Sequence, residues 1–136
     1  MELPYIMCRG IGSGKETKKV LICHYRVGWT DGVSLEIDKR ANVLNELGWQ
    51  VFLLAGTNSE GADYIVDELD FDLPEIRKIT NNSFNKIIDY KNESELINHI
   101  NDLADRIKVK LELILDKLKP DFILLHNIFS PGRHIA

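Results

Sequence analysis

Apolar residues along this chain fall into two kinds of pattern. Short unbroken runs, Val20-Leu21-Ile22-Cys23, Val51-Phe52-Leu53-Leu54 and Phe122-Ile123-Leu124-Leu125, have the length and continuity of strands covered on both faces. Between them lie stripes at helical spacing. Val33, Ile37, Ala41, Leu44 and Leu47 form one, and Leu96, Ile100, Leu103, Ile107, Leu111, Ile114 and Leu118 form a second, longer one. Strand and helix signals in alternation predict an α/β fold with an open, mostly parallel Rossmann-like sheet and helices on both faces. The stretch from Lys18 to Gly56, read as strand, loop, helix and strand, is its centre. Such a unit has a right-handed crossover, and its ligand crevice lies beyond the carboxyl ends of the strands.

Capping and breaking residues set the boundaries. The first helix begins near Gly32 or Val33, with Thr30, Asp31 and Ser34 as candidate caps, and Gly48 ends it in a left-handed conformation. Glu36 stands four residues before Arg40, a favourable surface pair. The second helix runs from Ser94 to Leu118 and is stopped by Pro120. The middle is less patterned. Thr57 to Gly61 is a polar turn, Pro74 closes an irregular stretch, and a third strand falls either at Tyr64-Ile65-Val66 or at Ile76 to Ile79. Ser83 to Tyr90 reads as a short helix with Phe84, Ile87 and Ile88 inward.

Residues 1–17 read as a flexible arm or a short strand at Tyr5 to Cys8, followed by a Gly-Ser-Gly-Lys run. A phosphate loop needs Ser or Thr after that lysine and then a helix. Glu16 and a strand stand there instead, so the run is ordinary loop chemistry. Residues 18–136 form one domain. Open sheets of this class hold about six strands, whereas three or four are visible here, and the chain ends ten residues after His126. The expectation is a domain truncated at its C-terminus.

Charge narrows the partners. Seventeen Lys plus Arg stand against 21 Asp plus Glu, which gives no electrostatic footprint for nucleic acid or anionic lipid. Any phosphate must be bound locally. Cys8 and Cys23 are far apart, and Cys23 lies within a core strand, where a thiol acts as a small hydrophobe. No basic region with a following apolar run opens the chain, and no apolar segment reaches the ~18 residues of a spanning helix. These features predict a reduced, cytoplasmic protein. No metal ligand set and no cofactor motif is predicted, and a homodimer covering an apolar sheet edge is compatible with the pattern.

The topology gathers His24, Tyr25, Arg26, Trp29, Asp31, Gly32 and Ser34 after the first strand, Gly56 and Thr57 after the second, and His126, Asn127 and Ser130 after the last. Gly32 at a helix start removes the side chain that would keep a phosphate from the first amides, where the helix dipole also favours an anion. A dinucleotide fingerprint would show Gly-x-Gly-x-x-Gly, whereas this loop has Gly28 and Gly32 with three residues between them. Nor does His24-Tyr25-Arg26 supply the clustered acids of a receiver domain. Tyr25 and Trp29 offer ring faces for a sugar or serve as packing lids. Arg26 either grips a phosphate or pairs with a neighbouring acid. His24 reads as structural, and His126 as a strand cap or a functional group.

The sequence HYRVGWTDGVSLEIDKRANVLNELGWQVFLLAG, followed by a long helix and LKPDFILLHNIFS, resembles the N-terminal domain of glycosyltransferase family 4 enzymes of the two-Rossmann (GT-B) architecture. The resemblance runs from Lys18 to the C-terminus. It is most specific at Asp31-Gly32-Val33-Ser34, from Leu47-Gly48 to Val51, and from Lys119-Pro120-Asp121 to His126-Asn127. It implies a retaining transferase using a nucleotide-sugar donor. The donor diphosphate and sugar would meet Asp31, Gly32, Val33 and Asn127, and His126 would be the catalytic group that contacts the donor sugar. Tyr25, Arg26 and Trp29 would hold a sugar, lipid-linked or phosphorylated acceptor. The full-length form would be either free in the cytoplasm or peripheral at the inner membrane face. Family members often carry two glycines in the first loop, and Asp31 stands in place of one. The C-terminal nucleotide-gripping domain has no counterpart here, so the isolated chain is expected to be inactive. The alternative is a stand-alone Rossmann-like binding module, or a subunit of a split transferase.

Overall fold

The computed structural model describes residues 16–28, 30–56 and 60–126. Four parallel strands, β1 (Lys19–Cys23), β2 (Gln50–Ala55), β3 (Tyr64–Ile65) and β4 (Phe122–Leu125), make one sheet in the order β3-β2-β1-β4. Helices α1 (Gly32–Glu46), α2 (Pro74–Phe84) and α3 (Glu93–Leu118) connect them, with a 3₁₀ turn at Asp67–Leu69. Alternation along β1 divides the core in two. Val20 and Ile22 face Ile37 of α1, whereas Leu21 and Cys23 face the other way, into a larger cluster with Ile76 and Ile79 of α2 and Leu96, Leu103, Ile107 and Leu118 of α3. A strand covered on both faces needs an unbroken apolar run, and β1 has one.

The predicted ends of the long elements hold. Asp31 caps α1, and Gly48 takes a positive φ of 83° just past its end. The side chain of Asn92 accepts from the Glu95 amide at 2.9 Å, while Glu95 accepts from the amide of Lys91 at 2.7 Å, which fixes the start of α3. Lys119 ends α3 in the left-handed region, and the Asp121 carboxylate then accepts from the Lys19 amide at 2.8 Å, setting β4 beside β1.

Three expectations need correction, and one open alternative is decided. Pro74 opens α2 at its first turn, where the missing N–H costs nothing, rather than closing a loop. Of the two sites for a third strand, Tyr64–Ile65 is the strand and Ile76 and Ile79 are the buried face of α2. No helix spans Ser83 to Tyr90, and Phe84 and Ile88 are exposed. The cause is Asn82, which is 2 % exposed: its side-chain oxygen accepts from the amides of Ile88 and Asp89 and its nitrogen donates to the carbonyl of Lys78 and the carboxylate of Asp89. An asparagine that satisfies four backbone and side-chain groups bends the chain away from helix. Finally, Leu47, at the end of α1, is about half exposed, and so are Phe122, Ile123 and Leu125 of β4, which is an edge strand of the described sheet.

A charged belt joins the 3₁₀ turn and α2 to α3. Both carboxylate oxygens of Glu68 accept from Lys110 Nζ at 2.7 Å, Arg106 pairs with Glu75, and His99 bridges Glu75 to the Tyr90 hydroxyl at 2.8 and 2.6 Å. The Arg106 Nε lies 3.2 Å from the Asp102 carboxylate without the alignment of a hydrogen bond. Burial by itself would raise the affinity of Glu68 and Glu75 for protons. Hydrogen bonds from Lys110 to Glu68, and from His99 and Arg106 to Glu75, outweigh it and hold both below the ordinary glutamate value. A depressed folded value means that the unfolded chain binds protons first. Stability is therefore expected to be full above about pH 5 and to fall as the pH drops through 4.5 and below. Urea unfolding from pH 7 to pH 3 checks this, and a midpoint unchanged over that interval would contradict it.

Candidate functional site

The strand order places the site. From β1 the chain crosses through α1 to β2 on one side, whereas β4 returns to lie on the other side of β1. Between β1 and β4 the direction of winding reverses, and in open α/β sheets ligands bind outside the carboxyl ends of the strands at such a switch point. His24 follows β1 and His126 follows β4, so the two histidines stand together at that switch point.

Backbone bonds fix both sides. The His126 amide donates to the Cys23 carbonyl at 2.9 Å, and the His126 carbonyl accepts from Nδ1 of His24 at 2.7 Å. That contact puts a proton on Nδ1 of His24, and it explains a histidine only 7 % exposed. On the ring of His126, Nε2 lies 3.4 Å from the guanidinium of Arg40 on α1, and Arg40 is itself held by Glu36 at 2.6 Å. Partial burial first, and then the positive charge of Arg40, keep His126 below the usual histidine range, with Glu36 opposing.

Residues 24–28, after β1, are locked to distant segments. The Gly56 amide donates to the Tyr25 carbonyl at 2.8 Å, and a Cβ on Gly56 would stand 2.8 Å from both that carbonyl and the Asp70 amide nitrogen. Gly28 has a φ of 75°, and a Cβ there would come within 2.1 Å of the Glu60 carbonyl oxygen. Both glycines are therefore required by close backbone approach. Gly32 is different: among the described residues nothing lies within 4 Å of where its Cβ would be, so none of them covers the helix start on that side.

Asp31 fills the helix end with its own carboxylate. One oxygen accepts from the amides of Val33 and Ser34 at 3.1 and 3.0 Å, and the other accepts from the Ser34 hydroxyl at 3.1 Å. The Ser34 amide, the Ser34 hydroxyl, the Val33 amide and the charge of Arg26 hold Asp31 below the ordinary aspartate value against the effect of burial. Arg26 lies 3.5 Å from the Asp31 carboxylate and 5.7 Å from the Phe71 ring, so it pairs with a neighbouring acid. Tyr25 is 6 % exposed and meets Phe71 edge-on, which makes it a core residue beneath the loop; its ring face is not available for stacking on a sugar. Burial pushes the Cys23 thiol up to about 11, consistent with packing rather than chemistry.

Trp29, Thr57, Asn127, Ser130 and the N-terminal segment through Lys15, Cys8 included, lie outside the described residues. Among the described residues no group of three or more His, Cys, Asp or Glu could hold a metal ion, and no helix is long and apolar enough to cross a membrane. Arg40 is the residue that sequence reasoning undervalued. It was visible as a partner of Glu36, but its closeness to His126 requires β4 beside β1, a strand order that spacing alone does not give.

No protein-family model and no solved structure matches the chain. Over 115 residues, 84 % of its length, it is 32 % identical to mannosylglucosylglycerate synthase of Thermotoga maritima. The chain spans about a quarter of that relative, 26 % of its length. Over most of its length, then, this parallel α/β chain is homologous to part of a mannosylglucosylglycerate synthase.

Proposed function

We propose that this chain forms the acceptor-side wall of a retaining glycosyltransferase of GT-B type that takes its sugar from a nucleotide-sugar donor. The observation that carries this is homology to a synthase whose name describes sugars joined to glycerate, extending over 84 % of the chain. The switch point between β1 and β4 supports it, because the start of α1 and a neutral histidine stand at that edge of the sheet, groups suited to a diphosphate and to sugar hydroxyls. In this assignment a diphosphate approaches α1 over Gly32, and His126 contacts the donor sugar, with Asn127 beside it in sequence. Arg26 and Trp29 meet the acceptor, for which an anionic group such as a phosphate or a glycerate carboxylate suits Arg26. Tyr25 supports the loop from below. The opposite wall, which grips the nucleotide, belongs to another Rossmann-type domain.

The test is transfer by the complete gene product from a panel of nucleotide sugars to phosphorylated and glycerate-bearing acceptors, with the anomeric configuration followed by NMR. Retention at the anomeric carbon supports the proposal. Inversion would remove the retaining mechanism, and the absence of transfer from every nucleotide sugar would remove the function.

Asp31 makes a sharper prediction. Its carboxylate occupies the amides that a diphosphate would use, and like charges at one helix end compete. Asp31→Asn keeps a good cap while removing the charge. It is expected to lower KM for the donor several-fold, with folding stability changed by less than about 1 kcal/mol. A higher KM for the donor would place the carboxylate in direct contact with a ligand hydroxyl instead.

A further inference from the structure

Arg40 and Glu36 lie on the exposed side of α1, and a surface pair four residues apart contributes little to stability. Their placement has another consequence. Arg40 can only donate, so at 3.4 Å from Nε2 of His126 it requires that nitrogen to be an acceptor, with the ring neutral and its proton on Nδ1. Glu36, bonded to the same guanidinium at 2.6 Å, limits the directions that the arginine can take. The backbone of His126 is held on both sides as well, by Cys23 and by His24. Among the described residues, the charged or titratable groups facing this imidazole are Arg40 and Glu36 from α1 and His24 from the segment after β1.

We propose that Arg40 is a positioning residue for His126: by donating to Nε2 it fixes the imidazole as a neutral Nδ1–H donor aimed at an oxygen of the bound sugar. The ligand class rests on the glycosyltransferase assignment; the tautomer does not. A neutral donor binds a sugar hydroxyl without adding a positive charge to a centre where positive charge develops in sugar transfer. Protonating His126 would set two cations against each other and push Arg40 away.

Ring nitrogen shifts of His126 in the full chain, recorded by NMR across the histidine titration range, provide the test. The wild type is expected to show a protonated Nδ1 and a bare Nε2, with a titration midpoint below that of an exposed histidine. Arg40→Met removes the donor from a half-exposed position, and His126 should then titrate at higher pH with the proton shared between both nitrogens. Arg40→Lys should restore the wild-type pattern. In the complete gene product, Arg40→Met should reduce transfer roughly tenfold, with most of it recovered in Arg40→Lys. A wild-type Nε2–H tautomer, or a His126 spectrum and titration unchanged in Arg40→Met, overturns the proposal. Failure of the glycosyltransferase assignment looks different: no nucleotide sugar is used, while the tautomer pattern is intact.

Discussion

Gly28→Ala is expected to lower the stability of the fold by about 3 kcal/mol or more. Two costs add. An L side chain at positive φ costs roughly 1–2 kcal/mol, and forcing the Glu60 backbone away from a Cβ that would sit 2.1 Å from its carbonyl oxygen adds a comparable overpacking cost. The contact is with backbone, so no side-chain rotation can relieve it. Urea unfolding followed by circular dichroism provides the measurement, with Gly32→Ala as the internal control. At Gly32 the new methyl group meets open space at the first position of α1, and alanine favours helix, so stability should be unchanged or higher by up to about 1 kcal/mol. The same chemical change four residues apart should therefore give opposite signs. Equal midpoints for the two variants would mean that the loop does not rest on the Glu60 segment.

His126→Ala in the complete gene product is expected to reduce sugar transfer by roughly 10²–10³-fold, the scale of losing one preorganised hydrogen bond to a sugar hydroxyl that strengthens in the transition state. The loss should fall mainly on kcat rather than KM, since a contact that strengthens in the transition state leaves ground-state binding largely intact. The fold should survive, because the strand bond from His126 to Cys23 and the bond from His24 both use the backbone of residue 126. Near-normal kcat in a folded variant would remove His126 from the reaction.

Most of the framework was legible because β1, β2, β4, α1 and α3 are each specified by several agreeing local signals. Asp31, Gly48 and Pro120 punctuate the same segments that the apolar spacing delimits. The stretch from Tyr64 to Tyr90 was harder to read, because single residues with long-range or multiple roles decide it. Pro74 starts a helix as readily as it closes a loop, and Asn82 terminates α2 through hydrogen bonds that no spacing rule reveals. The site was half legible. His24, Gly32 and His126 were placed at the correct edge by the strand pattern, but the burial of Tyr25 and the pairing of Arg26 with Asp31 depend on Phe71 and on loop geometry. Arg40 required knowledge of which strand neighbours β1.

The locking of the β1–α1 loop bears on the thermodynamics of recognition. Gly28 rests on the backbone at Glu60, and Gly56 is wedged between Tyr25 and Asp70, so segments some thirty residues apart hold one another. The entropy of ordering that loop is spent when the chain folds and not when a ligand arrives. A ligand reaching the carboxyl edge of β1 meets a preformed surface along residues 24–28, and its association rate should be independent of any slow ordering of them.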